Sequence, residues 1–476
     1  MSIKQTVLSI DFLKESVQRK FSVPGSMDKK TIGLELELLP FREAEGESIQ
    51  VADIINERMR GSYDLLYSNS LCQCSLFEQD KKLDVPRLNS KSGGIITFEP
   101  GGQVEYSSSA QPDLGKVINE LILNVSELEQ ILAKEKIRFF FGGMNPWQSV
   151  EEVGLKMRKP RYIAMDNYFK QIGAHGQQMM RLSASIQVNL DFGCPEIAEK
   201  RWKAANLLSP IFCAIFGNTP FHAGMPTGLK SYRTLIWQNL DASRAGFPHL
   251  AVERNRVFSC VKQYLEFALN ASVFTLPKQC GCLGYCENNI SFRRWLEQGY
   301  NGYYPTIEDW EVHLTTLFPD VRPKGFLEIR FIDGQSKPCW AVPAILSTAI
   351  IYDEKSTEKV IDLLSPFTGE LDKMATKALK TGVDAFPELC REIFNIGMNS
   401  QEYKIEDELL GYCERFYQRY TAKSRNPADD LLEINNQSVF SLRQYEDFES
   451  RLFEEIQPPR FVATKNAKDL ASGCIC

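Results

Sequence analysis

Glutamates occupy alternate positions in a short apolar run, Ile32–Leu38 (IGLELEL). If the run is a strand, Glu35 and Glu37 share one face and Leu34, Leu36 and Leu38 the other. A second acidic pair brackets a Pro-Gly-Gly corner in Ile95–Ser108 (IITFEPGGQVEYSS). Ile95, Thr97 and Glu99 share a face before the corner, and Gln103 and Glu105 share one after it. Glycine supplies the positive φ that a hairpin-like turn needs, and it lets a ligand approach the backbone. This stretch alone allows two readings: an exposed hairpin with solvated glutamates, or a ligand site. Two more runs repeat the pattern. Ser183–Phe192 (SASIQVNLDF) sets Gln187 and Asn189 against Ile186, Val188 and Leu190, and Phe326–Asp333 (FLEIRFID) puts Glu328 and Arg330 on one face.

Gathered on one sheet, these faces bring together Glu35, Glu37, Glu99, Glu105 and Glu328 with two amides and one arginine, and no lysine. Clustered carboxylates repel one another unless a cation neutralises them. Hard oxygen donors suit Mg²⁺ or Mn²⁺, and carboxylate-held Mg²⁺ usually also holds substrate phosphates. In the opposing reading the strands belong to different sheets and the glutamates never meet.

The elements that must position these groups are legible in part. Ile10, Leu13, Val17 and Phe21 have helical spacing over residues 10–21, and Leu114–Ile137 carries a long apolar stripe. Arg138–Phe141 reads as a buried strand, 161–181 as a helix broken near Gly173 and Gly176, and 196–216 as a core helix. Residues 42–93 show little periodicity and are expected to be an insertion or loop-rich. From about 218 to 305 Gly, Pro, Cys and aromatic residues are frequent, which suggests a cap built partly of loops. Asp309–Leu317 reads as a short helix in which His313 serves packing, and helical patterns fill much of 340–457.

With 476 residues, a net charge of −6 and 43% hydrophobic residues, the chain has the composition of a globular protein and not of a general nucleic-acid or anionic-membrane binder. No apolar run approaches a membrane span. The first residues lack the pattern of a cleaved leader, so a cytoplasmic protein is expected. The odd number of cysteines, 13, fits reduced thiols. The clusters Cys72/Cys74, Cys280/Cys282/Cys286 and Cys474/Cys476 lack the paired spacing of a zinc site. The final Cys-Ile-Cys is like a dual-prenylation tail but follows no polybasic stretch.

Five segments together resemble the plant-type glutamate–cysteine ligases over about residues 30–350: Ile32–Leu38, Ile96–Ser108, Met179–Phe192, Ser231–Pro248 (SYRTLIWQNLDASRAGFP) and Asp309–Gly334. The resemblance implies an α+β, glutamine-synthetase-like fold, with a curved antiparallel sheet forming a funnel backed by helices. The chain is then one large catalytic domain, 1–476, with a core at 30–350, a cap at 218–305 and a helical region and tail at 351–476. It implies ATP-dependent formation of γ-glutamylcysteine from glutamate and cysteine through γ-glutamyl phosphate. Glu35, Glu37, Glu99, Glu105 and Glu328 become the candidate ligands of Mg²⁺ or Mn²⁺, with ATP as co-substrate. Arg330 and Glu99 are the catalytic candidates. Arg244 matches the arginine that holds the glutamate α-carboxylate, a task that suits its bidentate fork. Arg233 and Trp237 form pocket wall, and Gln187 and Asn189 lie near the metal and phosphates. Gly101, Gly102 and Gln103 are the candidate cofactor contacts. The expected partners are these small molecules only, on a monomer or homodimer. Cys280, Cys282 and Cys286 are expected to be dispensable for chemistry. Two other readings stay open: the same activation chemistry with another amine in a specialised pathway, or a non-catalytic homologue that binds or regulates.

Overall fold

A computed structural model describes residues 8–21, 28–43, 49–59, 62–73, 77–80, 83–247, 260–277, 283–285, 290–337, 339–434 and 438–456. Cys74, Cys280, Cys282, Cys286, Cys474 and Cys476 lie outside them. The described cysteines form no disulfide.

Alternating apolar and polar residues give an antiparallel sheet of ten strands. In chain order these are β1 (Ile32–Glu43), β2 (Ile49–Val51), β3 (Phe77–Asp80), β4 (Arg87–Ser90), β5 (Ile95–Phe98), β6 (Val104–Ser107), β7 (Arg138–Phe140), β8 (Ser185–Leu190), β9 (Val321–Pro323) and β10 (Leu327–Asp333). They lie side by side as β9-β10-β8-β1-β6-β5-β4-β3, while β2 and β7 pair with the far half of β1. The expected loop-rich segment 42–93 therefore contributes sheet strands and, at Ile55–Met59 and Ser62–Leu65, a separate hairpin. Strands this short show too few alternations to stand out from a polar background.

The apolar face of the sheet is covered by helices. The helices of the chain used below are α1 (Ile10–Phe21), α2 (Leu114–Lys134), α3 (Pro160–Ile172), α4 (His175–Leu182), α5 (Pro195–Phe216), α6 (Tyr232–Gln238), α7 (Cys260–Asn270), α8 (Ile307–Leu314) and α9 (Ala341–Tyr352), of which α3, α4 and α6 stand on the polar side. Helix α2 starts at the Asp113 side chain, which accepts from the Lys116 N–H, and buries Val117, Leu121, Val125, Leu128 and Leu132. It packs on β1, α5 on β10, and α9 on β8. Every residue of α9 is buried, so it reads as hydrophobic all round. Leu34, Leu36 and Leu38 of β1 and Ile186, Val188 and Leu190 of β8 complete this layer, each at most 3% exposed.

Register then decides whether the glutamates meet. Glu37 stands opposite Glu105, which faces Thr97 on its other side. Glu35 stands opposite Gln187 and Ser107, and Asn189 opposite Glu328. All these strands belong to one sheet. A bulge sets Arg330 and Phe331 against Gln187, because Ile186 pairs with Ile332 and Val188 with Ile329. Bulges of this kind bend a strand and re-aim its side chains.

The Pro-Gly-Gly corner is fixed from beneath. The Gly101 N–H donates to Gln103 Oε1 at 2.9 Å, and Gln103 Nε2 donates to the Ser183 carbonyl at 2.9 Å. The Pro100 carbonyl accepts the Lys156 N–H at 2.8 Å. A Cβ on Gly101 would fall onto the Arg181 backbone carbonyl. Gly101→Ala should therefore cost on the order of 1–3 kcal/mol, as overpacking does. Gly369→Ala, where a Cβ meets open space, should stay within about 0.5 kcal/mol. Urea unfolding midpoints of the two variants decide this.

Candidate active site

On its polar face the sheet lines a cavity of about 280 Å³. Strand β1 supplies Glu35 and Glu37, the hairpin Glu99, Gln103 and Glu105, β8 Ser185 and Gln187, and β10 Glu328 and Arg330. Helix α6 contributes Arg233 and Trp237 from the opposite wall. Arg161, Tyr162, Arg322 and Lys324 also line the cavity and were not anticipated from the sequence. A signal for Arg322 existed: Val321–Leu327 (VRPKGFL) reads as a tight turn between strands, which sets Arg322 opposite Glu328. Arg161 lies on α3, between β7 and β8, and carries no local mark.

The carboxylates divide into two groups. Glu328 is fully buried and accepts from Arg322 Nε at 2.6 Å, Arg322 Nη2 at 3.1 Å and Lys324 Nζ at 2.8 Å. Burial alone would raise its pKa, but Arg322, Arg330 and Lys324 outweigh it and hold it at about 2. Its charge is already balanced by protein cations, so the structure sets Glu328 apart from the other expected metal ligands. The expectation of a lysine-free face fails here too, because Lys324 reaches in from the β9–β10 turn.

The other four form no ion pair among the described residues, and burial outweighs the more distant pull of Lys324, Arg233, Arg161 and Arg330. Glu37 accepts from the Ser185 N–H at 2.6 Å and from Gln187 Nε2 at 3.3 Å, and Glu35 accepts from Asn189 Nδ2 at 2.8 Å. Glu105 accepts from Thr97 Oγ1 at 3.1 Å. Burial raises Glu37, and burial together with Glu328 raises Glu35. Burial and then Glu99, Glu35 and Glu37 push Glu105 well up. Burial and Glu37 push Glu99 up to about 8, against the pull of Arg161. Among the described residues no three His, Cys, Asp or Glu side chains converge closely enough to hold an ion unaided. Mg²⁺ rarely needs that, since one or two carboxylates usually share it with phosphate oxygens and water.

Facing the acids is a cationic corner. The Arg233 and Arg330 guanidinium carbons lie 5.1 and 5.3 Å from the Trp237 ring centroid. Arg233 Nη2 donates to the Arg330 carbonyl at 2.8 Å. Arg330 Nε stands 3.4 Å from Glu328 Oε2, outside hydrogen-bond geometry. Arg330 Nη1, Arg233 Nε and Trp237 Nε1 are buried without a hydrogen-bond partner among the described residues. Burial and Arg322 lower the Arg330 pKa to about 10, which leaves it charged at neutral pH. Unpaired buried donors are costly, so this corner is shaped to receive an acceptor.

Other expected site residues lie elsewhere. Arg244 is fully buried and does not line the cavity. Its Nε donates to Asp241 at 2.8 Å, Nη1 to the Thr316 carbonyl and hydroxyl at 3.0 and 3.2 Å, and Nη2 to Tyr168 and the Ser272 carbonyl. All five N–H groups are thereby used, and this structure leaves no fork for a substrate carboxylate. Gly101 lies outside the cavity lining, Gln103 lines the cavity but spends its amide on holding the corner, and Asn189 reaches the site only through Glu35. His313 serves packing as expected: its Nε2 lies 2.8 Å from the Ala268 carbonyl, and burial lowers its pKa to about 3.

Residues 31–437 match the model of glutamate–cysteine ligase family 2. The chain belongs to this family. Chloroplastic glutamate–cysteine ligase of Nicotiana tabacum is 34% identical over 298 residues, 60% of this chain and 55% of that protein. Glutamate–cysteine ligase B, chloroplastic, of Oryza sativa subsp. japonica is 32% identical over 353 residues, 71% of this chain and 69% of that protein. The chain thus spans 55% of the length of the tobacco relative. These relatives are chloroplastic, which overturns the expectation of a cytoplasmic protein. The family fold is also that of a solved structure, glutamate–cysteine ligase from Francisella tularensis in complex with AMP. That likeness has a TM-score of 0.50 at 13% identity and covers 94% of this chain and 93% of that one. Among the described residues no helix is long and apolar enough to cross a membrane.

Two outcomes test the geometry of this family member. The folded chain holds a proton on Glu99 up to about pH 8, whereas the ordinary value is 4.5. The stability this contributes is complete below the unfolded value and is lost as pH rises through the folded one. Glu99→Gln should therefore raise the melting temperature at about pH 8.5 and change it little at about pH 5, read by thermal unfolding across that range. Arg244→Lys should cost about 2–5 kcal/mol of stability, because it strands buried acceptors around a former ion pair. A urea midpoint equal to that of the parent would return Arg244 to a ligand-binding role.

Proposed function

We propose that the chain is an ATP-dependent carboxylate–amine ligase that joins the γ-carboxylate of glutamate to the amino group of cysteine through γ-glutamyl phosphate. The observation that carries this is the cavity itself, where four glutamates without an ion pair among the described residues face arginines with unused N–H groups. Family membership and the chloroplastic glutamate–cysteine ligases among the relatives support the choice of substrates. The AMP held by the Francisella structure suits ATP as co-substrate.

Glu35, Glu37, Glu99 and Glu105 would hold Mg²⁺, which supplies charge neutralisation and alignment for the phosphates. The chain's own residues do the rest. Ser185, Gln187 and Asn189 fix the rotamers of Glu37 and Glu35 by donating to their oxygens. Arg330 presents Nη1 where charge grows on the transferring phosphoryl oxygens. Arg233, tied to the Arg330 carbonyl, holds the strand carrying that arginine and offers Nε to a substrate carboxylate. The attacking amine needs no histidine, because its proton can leave to a phosphate oxygen.

The test is phosphate release from ATP with Mg²⁺, glutamate and a panel of amines. Cysteine should give the highest rate, and release should require both amino acids for sustained turnover. Glu37→Gln and Arg330→Ala should each lower turnover by about 100-fold or more at saturating Mg²⁺. Glu37→Gln should not lower the melting temperature, since it removes a repelling charge. Near-normal turnover in both variants would end this assignment, and a preference for another amine would change the acceptor alone.

A further inference from the structure

A second cavity of about 280 Å³ adjoins the first. The two share Arg161, Thr315, Arg322 and Lys324, so a wall carrying three cations separates and connects them. The rest of the second cavity is lined by Tyr264, Leu314 and Pro323 and by Lys20 and Glu311. Lys20 belongs to α1, which precedes the matched residues 31–437.

Helix α1 is held in place by more than its charges. Leu13, Val17 and Phe21 are at most 2% exposed, and α1 packs on α7. The Lys20 carbonyl accepts the Gly325 N–H at 2.7 Å, which stitches the helix end to the turn that carries Lys324. The Lys20 ammonium is 2.6 Å from Glu311, and its side chain is 34% exposed. It can therefore turn to a ligand without loss of the helix.

We propose that α1 supplies Lys20 as a direct contact to the nucleotide, whose base and ribose occupy the second cavity while its phosphates cross the shared basic wall toward the glutamates. This rests on the ligase reading above. Of the three reactants only the nucleotide is both elongated and polyanionic, and only it has a flat apolar ring for Tyr264, Leu314 and Pro323 to cover. The first cavity alone lies at the small end for a site that must also hold two amino acids. Arg161 marks the crossing: its Nη2 donates to the Thr315 carbonyl at 3.2 Å, which leaves its charge available to phosphate from either side.

Calorimetric binding of a non-hydrolysable ATP analogue with Mg²⁺ to the full chain tests this, with glutamate binding measured in parallel. Lys20→Met should weaken nucleotide binding about three- to tenfold, as one partly exposed charge contact does, and leave glutamate binding unchanged. Glu311→Gln breaks the same ion pair but frees Lys20, so it should leave nucleotide binding equal or tighter. If Lys20 only braces α1, the two variants shift the affinity in the same direction, and the proposal falls. Unchanged binding in Lys20→Met also overturns it while the ligase reading stands. A parent chain that binds no nucleotide removes both.

Discussion

Mutual repulsion between carboxylates is the constraint around which the polar side of this sheet is arranged. Glu37 and Glu105 are cross-strand partners, and Glu99 and Glu35 also act on Glu105. Two such charges about 5 Å apart, at an effective dielectric near 20, repel by about 3 kcal/mol. Nothing in the hairpin alone could hold them. The opposing force is the continuity of β1, which is hydrogen-bonded on both sides, and the clamp that Gln103 makes between the Pro-Gly-Gly corner and residue 183. Burial and the remaining repulsion from Glu37 together push the Glu99 pKa up to about 8, so protonation relieves part of the strain.

Glu328 shows the alternative solution in the same cavity. Three cations surround it, two of them from the adjoining hairpin strand and turn, and it stays ionised far below neutral pH. The cavity is therefore polarised along the sheet. Its β9–β10 side is rich in guanidinium and ammonium groups, and its β1–β6 side is rich in unpaired carboxylates. A ligand lying along this gradient would meet cations at one end and carboxylates at the other. The bulge opposite Gln187 belongs to the same design, since it falls at Arg330, where the two halves meet.

How legible this was depended on the range over which each feature is encoded. Period-2 alternation is local, so β1, β8, β10 and the hairpin, with the shared face of Glu35, Glu37 and Glu105, could be read from neighbouring residues. The same holds for α2 and α5, whose stripes run for many turns. What failed to show was encoded by distant partners. Arg244 looks like a substrate arginine in its own segment, but its acceptors come from Tyr168, Ser272 and Thr316. Gly101 looks like room for a ligand, and the room is taken by the Arg181 backbone. Short strands β3 and β4 were lost in 42–93 because four residues give only two alternations. The chloroplastic relatives correct the compartment, which no packing argument addresses.

The helical half of the molecule follows from the same constraint. A sheet that must keep repelling charges in register cannot rely on its polar face for stability, so its other face must supply the excess. Helix α9 buries all of its residues against β8 and the neighbouring helices, and α5 buries Trp202, Leu208, Ile211 and Phe212 completely. Each large aliphatic or aromatic side chain so buried contributes about 1.5–3 kcal/mol. One or two of them offset the repulsion of a carboxylate pair, and the layer holds many more. The rigidity of that layer then fixes where the carboxylate oxygens stand, because close-packed side chains transmit small shifts to the strands they touch. A softer backing would let the strands splay and the glutamates separate, and the polar cavity would lose its density of negative charge.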